Sequence, residues 1–301
     1  MRKDTISLFV FFIAACIVFT PCQAKSKAKH VILIGLDGWG SYSVPKADIP
    51  NIKQLMANGS YTLEKRSALP SSSAINWASM FMGAGPELHG YTEWGSKTPE
   101  LPSRILNKHG IFPTIFQLLR EARPKAEIGC LYEWNGIKYL VDTLALNHYA
   151  QAPNYKEYPE ALCNMAETYI KEKQPTLLAV CFDNPDHIGH QKGHDTPEYY
   201  AKLKELDMYI GRIIRAVEEA GVLKETIFII TADHGGINKG HGGKTMQEMQ
   251  TPFIISGKNV KKGMEFHESM MQYDVASTIA YIFGLQQPQV WIGRPMTQVF
   301  K

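Results

Sequence analysis

The sequence predicts an α/β protein with a mainly parallel central sheet and helices on both faces. Two observations carry this. Short, uniformly apolar, β-branched runs alternate with amphipathic helical patterns, and the patterns opening near Pro113, Pro159 and Pro197 each have a proline at or near the first turn. His30 to Leu36 opens the series as a strand buried on both faces, since it lacks the polar alternation of a half-exposed strand. A helix follows from Ile75 to Met82. The next helical patterns run from Pro113 to Glu121, Pro159 to Glu172 and Pro197 to Ala220. Between them, Ile128 to Tyr132, Thr176 to Phe182 and Thr226 to Thr231 read as further buried strands. Residues 84 to 112 and 133 to 158 are richer in Gly, Pro, Asn and Tyr, and are expected to be lid insertions of one domain spanning 25–301.

Arg2 and Lys3 precede an apolar run from Ile6 to Phe19, and Ala24 offers a small-residue cleavage point, so residues 1–24 are expected to be a secretory signal peptide. The run is shorter than the roughly 20 residues a permanent span needs. Ile13-Ala14-Ala15-Cys16 also has the form of a lipobox. The expected location is therefore the periplasm, with lipid anchoring if Cys16 is the processing site. Cys130, Cys163 and Cys181 lie in apolar segments and read as small buried hydrophobes, an odd number that implies no disulfide framework. With 32 Lys and Arg against 29 Asp and Glu, the net charge of +3 excludes a broad nucleic-acid-binding surface.

Three of the strands end in the same kind of cargo. His30 to Leu36 ends in Asp37-Gly38. Thr176 to Phe182 ends in Asp183-Asn184-Pro185-Asp186, with His190 four residues on. Thr226 to Thr231 ends in Ala232-Asp233-His234-Gly235-Gly236, with His241 close behind. A lone Asp at a strand end is usually a turn former. In a parallel sheet, however, three such ends converge where ligands bind. Three Asp and three His without Cys suit Zn²⁺ or Mn²⁺ in an open catalytic site. Between the first two ends lies Ser71-Ser72-Ser73-Ala74-Ile75-Asn76 at a helix start. Ser73 or a neighbour there either caps the helix or, at the positive end of the helix dipole, stands as a nucleophile toward phosphate.

The order Asp37, Ser73 with Asn76 three residues later, Asp186-x-x-x-His190, Asp233-His234-Gly235 and His241-Gly242 resembles the alkaline phosphatase superfamily, and within it the type I phosphodiesterase/nucleotide pyrophosphatase family. The resemblance implies an alkaline phosphatase-like fold and two metal ions, usually zinc. Asp186, His190 and His241 would hold one ion, and Asp37, Asp233, His234 and the nucleophile Ser73 the other. Asn76 would donate to a phosphoryl oxygen. The implied activity is hydrolysis of phosphodiester or pyrophosphate bonds in a small phosphate ester or nucleotide, through a phosphoseryl intermediate.

Three departures qualify the match. The family commonly has Thr where Ser73 stands, Pro where Ile75 stands, and Gly-Pro where this chain has Gly193-His194. His194 is expected either to face the pocket or to cap the helix opened near Pro197. Trp94 and Trp134, with Tyr91 and Tyr132, are candidates to stack a flat substrate group. No Cys or Ser followed by x-Pro-x-Arg occurs, which argues against a sulfatase. The competing readings are a phosphomonoesterase of the same fold and a non-catalytic, metal-stabilised binding module of the cell envelope.

Overall fold

Successive residues of a strand face opposite sides of a sheet, so a strand that is apolar throughout needs a hydrophobic layer on each side. The computed structural model, which describes residues 26–301, has this arrangement. The strands are β1 (His30–Leu36), β2 (Gly59–Arg66), β3 (Ile128–Tyr132), β4 (His148–Gln151), β5 (Leu177–Phe182), β6 (Thr226–Thr231), β7 (Gln250–Gly257) and β8 (Met264–Glu265). They form one sheet in the order β4-β3-β5-β1-β6-β7-β2-β8. From β4 to β6 the strands run parallel, while β7 is antiparallel to both β6 and β2.

The helices are α1 (Pro50–Ala57), α2 (Ser73–Met82), α3 (Pro86–His89), α4 (Ile115–Ala122), α5 (Ala161–Lys173), α6 (Asp186–Lys192), α7 (Pro197–Glu219), α8 (Met246–Met249) and α9 (Asp274–Phe283). Val31, Leu33, Ile227 and Ile229 pack with α2, α4 and α9 on one face. Ile32, Ile34, Phe228 and Ile230 pack with α1, α5 and α7 on the other. Cys130, Cys163 and Cys181 are buried and unbridged. No helix among the described residues is long and apolar enough to cross a membrane.

Strand β1 lies between β5 and β6, in register with both. Their carboxyl ends are therefore neighbours at the ordinary strand spacing of about 4.8 Å, and Asp37, Asp183 and Asp233 emerge side by side. This is how the sheet positions the site.

Several expectations change in the structure. The segment from Asp186 to Lys192, to which the sequence assigned no element, is a helix, which puts Asp186 and His190 one turn apart on one face. The 133–158 segment is no simple lid, because His148–Gln151 pairs with β3 as the sheet's edge strand. The antiparallel pair β2 and β7 extends the sheet beyond the parallel strands foreseen from the sequence. The signal peptide, the lipobox and Cys16 lie outside the described residues.

Gly35, in the middle of β1, leaves room for the Trp77 ring: a Cβ there would come within 2.2 Å of it. Gly35→Ala should displace a fully packed indole and cost about 1–3 kcal/mol. A urea denaturation midpoint equal to wild type would contradict this packing account.

Candidate metal centre and nucleophile

Asp37 leaves β1 at a turn that only glycine accommodates. Gly38 has φ +72°, and a Cβ on it would sit 2.6 Å from that of Asp186. Main-chain bonds then tie the three strand ends together. The Gly38 amide donates to Asp233 Oδ1 at 3.1 Å, and the Asp186 amide to the Asp37 carbonyl at 2.9 Å. The Tyr199 hydroxyl donates to the Gly38 carbonyl at 2.8 Å, holding the turn from α7.

Two sets of side chains converge above these ends. In one, ligand atoms of Asp186, His190 and His241 lie within 4.8 Å of one another; in the other, those of Asp37, Asp186 and His234 do. Asp186 stands between the sets. Its Oδ2 is 3.1 Å from His190 Nε2, which lies 3.1 Å from His241 Nε2. His234 Nε2 is 3.3 Å from both Asp37 Oδ1 and Asp233 Oδ2. Ser73 is the first residue of α2, and its Oγ is 3.1 Å from His234 Nε2 and 3.5 Å from Asp37 Oδ1. His234 Nδ1 is 2.7 Å from the Gly235 carbonyl. That contact assigns the ring hydrogen to Nδ1 and leaves the Nε2 lone pair facing Ser73 and the carboxylates.

The electrostatics are those of crowded negative charge. Burial, then the charges of Asp233 and Asp186, push the Asp37 carboxyl well above the usual range. Burial raises Asp233 to about 7 despite the Gly38 amide, with the Asp186 charge adding to the rise. Burial would also raise Asp186, but the close contact with His190 and the proximity of His194, His234 and His241 outweigh it and hold this carboxyl low. Burial, with His234 beside it, lowers His241 to about 4. Asp186 Oδ1 and Asp233 Oδ2 are buried without a hydrogen-bond partner. Buried carboxylate oxygens in this condition call for a cation.

The structure corrects the expectations for Asn76 and Trp134 and narrows the alternatives for Ser73 and His194. Asn76 does not present a free donor. It is fully buried, its Oδ1 accepts from the Ala68 amide, and its Nδ2 donates to the carbonyls of Ala68, Pro70 and Ser72. The tight 68–72 loop satisfies its main chain with this amide, so Asn76 shapes the approach to Ser73. Ser73 does not cap the helix. Ser72 occupies the N-cap position without a side-chain bond, and Ser73 follows inside the first turn. Of the two places expected for His194, it does not take the cap of α7. Thr196 provides that cap, and His194 is buried beside Asp186. Trp134 packs on Gly136 and against the core of the α2 face instead of standing free. Trp94 is the exposed aromatic, at 68%, and its carbonyl accepts from the Ala74 amide in the first turn of α2.

Sequence reasoning missed three supporting residues. Trp77 Nε1 donates to Asp37 Oδ2 at 3.0 Å. Lys65, wholly buried on β2, donates to the Ala232 carbonyl at 2.9 Å and to Gln272, whose Nε2 in turn bonds the Asn76 and Ala232 carbonyls. Burial lowers this ammonium to about 7, against the pull of Asp233 and Asp274. Glu248 closes a capping box with Thr245 and accepts from the Gly243 amide, shaping the loop that carries His241. Only the Thr245-x-x-Glu248 spacing was available as a signal in the sequence.

Residues 31–117 and 123–247 match the family described as type I phosphodiesterase / nucleotide pyrophosphatase. Bis(5'-adenosyl)-triphosphatase enpp4 of Mus musculus is 24% identical over 225 residues, covering 71% of this chain and 48% of that protein. GPI ethanolamine phosphate transferase 2 of Aspergillus oryzae is 26% identical over 117 residues, covering 34% of this chain and 14% of that protein. The chain thus matches less than half the length of either relative. Among solved structures, an inactive murine ectonucleotide pyrophosphatase / phosphodiesterase 5 in complex with AMP superimposes with a TM-score of 0.75 at 14% identity, covering 91% of this chain and all of that one. A 2-O GAG sulfatase gives 0.73 at 15% identity, covering 91% and 74%. At such identities the likeness establishes the alkaline phosphatase-like fold.

The raised carboxyl of Asp233 has a stability consequence. Its value is about 7 when folded against 3.8 as the reference. Between these the folded metal-free chain binds a proton that the unfolded chain has released, so this group's contribution to stability falls as pH rises through that window. In chelator-treated protein, the unfolding free energy should therefore drop less between about pH 5 and pH 7 in Asp233→Asn than in wild type. Equal drops in urea titrations would contradict the assignment.

Proposed function

Because the chain belongs to the type I phosphodiesterase / nucleotide pyrophosphatase family, we propose that it hydrolyses phosphodiester or pyrophosphate bonds in a small phosphate ester or nucleotide, with Ser73 as covalent nucleophile and two divalent ions. The observation that carries the reading is Ser73 Oγ at the N-terminus of α2, within 3.5 Å of both His234 Nε2 and Asp37 Oδ1. The donor set fits hard or borderline cations, zinc first and manganese as the alternative, since two buried carboxylate oxygens lack partners and no Cys joins the cluster. Asp186, His190 and His241 would hold one ion, and Asp37, Ser73, Asp233 and His234 the other. When bound, such ions make a serine hydroxyl ionisable near neutral pH and neutralise charge on phosphoryl oxygens.

This chain's own residues define the rest of the reaction. Ser73 holds Oγ beside His234 and Asp37 in the first turn of α2, where the positive end of the helix dipole favours an anionic phosphoryl group. Trp77 fixes Asp37 from behind, and the Gly38 and His234 amides fix Asp233. Attack of Oγ on phosphorus forms the phosphoseryl ester and breaks the bond to the leaving oxygen, and the proton given up by the hydroxyl balances the one the leaving oxygen takes up. Water then attacks the phosphoserine and returns the hydroxyl to Ser73, so the two in-line displacements balance.

Substrate class follows from charge. Monoester dianions are best met by a strong cation beside the phosphoryl oxygens. Arg66 and Arg104 are exposed, and the buried Lys65 is directed at the Ala232 carbonyl and Gln272. This supports diesters or pyrophosphates over the phosphomonoesterase reading. The unpartnered carboxylates beside a serine favour an enzyme over a metal-stabilised binding module. A periplasmic location, or a lipid anchor at Cys16, belongs to the same proposal and rests on the leader sequence alone.

Ser73→Ala should lower kcat/KM on the order of 10⁴-fold, while Ser71→Ala and Ser72→Ala stay within about tenfold. Equal losses at all three would remove the nucleophile assignment. Bis-p-nitrophenyl phosphate should be preferred to p-nitrophenyl phosphate, and a preference for the monoester would overturn the substrate class.

A further inference from the structure

His194 stands where the sequence departs from the family pattern, and its surroundings are specific. The side chain is fully enclosed, with Nε2 3.4 Å from Asp186 Oδ1. Neither atom has a formed hydrogen bond, although both are buried. The other oxygen of the same carboxylate, Oδ2, faces His190 Nε2 at 3.1 Å. Two glycines make the space for the ring. A Cβ on Gly189 would meet the imidazole at 2.5 Å, and one on Gly236 at 2.2 Å. Tyr199 packs against its face with centroids 5.5 Å apart, and His194 Nδ1 lies 3.2 Å from the Asn238 carbonyl.

Both ring nitrogens thus face oxygens, and since the Asn238 carbonyl already accepts the His194 main-chain amide at 2.6 Å while Asp186 Oδ1 has no donor, the single ring hydrogen is assigned to Nε2. A ring so placed acts as a hydrogen donor, whereas a metal ligand turns a lone pair toward the ion. We propose that His194 is a positioning residue: it donates Nε2–H to Asp186 Oδ1 and thereby orients Oδ2 toward the ion shared with His190 and His241. This rests on the reading of Asp186 as a metal ligand. Donors behind ligating carboxylates commonly govern metal affinity by 10 to 100-fold. The ring's enclosure by Gly189 and Gly236 makes it suited to that role, because an orienting group has to be held as firmly as the group it orients.

The test measures zinc affinity of the full chain by competition with a chromogenic chelator, alongside the thermal midpoint of the metal-free protein. His194→Phe keeps the aromatic packing and removes the donor. It should weaken one of two zinc ions by about 10 to 100-fold and leave the other within about threefold. His194→Gln retains an N–H donor and should restore the weakened ion to within about tenfold of wild type. Unchanged affinity in His194→Phe would overturn the proposal. So would equal weakening of both ions together with a lowered metal-free midpoint, since that is the signature of a merely structural ring. Asp186→Asn separates the two levels. If it still binds two zinc ions, the metal assignment itself fails. If it loses one while His194→Phe loses none, only the role of His194 fails.

Discussion

Buried negative charge at one edge of the sheet is the constraint on which the rest of the structure depends. Asp37, Asp186 and Asp233 are gathered with less than a tenth of their surface exposed. Their neighbours include His234 and His241, both of which burial disposes toward the neutral form. Like charges so close in a poorly solvated place repel strongly, and the upward pull on Asp37 and Asp233 is the local expression of that repulsion. An arrangement costly in isolation becomes favourable once divalent cations lie among the carboxylates, which is why the crowding reads as a metal centre and not as a defect.

The scaffold holds the repelling groups together by covalent and main-chain means. Each Asp lies within two residues of a strand end or opens the helix behind one, and β5, β1 and β6 are locked in register by their ladders. The Gly38 turn lets Asp186 approach the β1 end more closely than any other residue would allow. Behind the site, Lys65 and Gln272 bind the carbonyls at the end of β6 and in the first turn of α2. That network links the strand carrying Asp233 to the helix carrying Ser73. The second insertion reaches the flank of the centre through Glu133, which accepts from the Asp183 amide, and Tyr155, which donates to the Asp183 carboxylate.

The parallel core was legible because its signals are local. A run such as Val31 to Leu36 is apolar on both faces and stops at Asp37-Gly38, and β1, β3 and β6 begin and end where that pattern does. The converging Asp and His residues were legible for the same reason: parallel strand ends share one edge. What escaped the sequence depends on contacts between distant segments. Whether Asn76 points at a substrate or at its own loop is decided by the main-chain path of residues 68–72. For His194 the choice between pocket and helix cap stayed open, because its enclosure needs Gly236, beyond the end of β6, as well as Gly189 in α6. Strand β4 escaped because its four residues are mostly exposed and polar, lacking the pattern that marks a buried strand.

Anomalous scattering from a crystal of the zinc-loaded protein, collected at the zinc edge, tests the central claim most directly. The account predicts two peaks about 3.5 to 4 Å apart, one bounded by Asp186, His190 and His241 and the other by Asp37, Asp233, His234 and Ser73. No peak among these carboxylates, with zinc bound elsewhere or not at all, would contradict it.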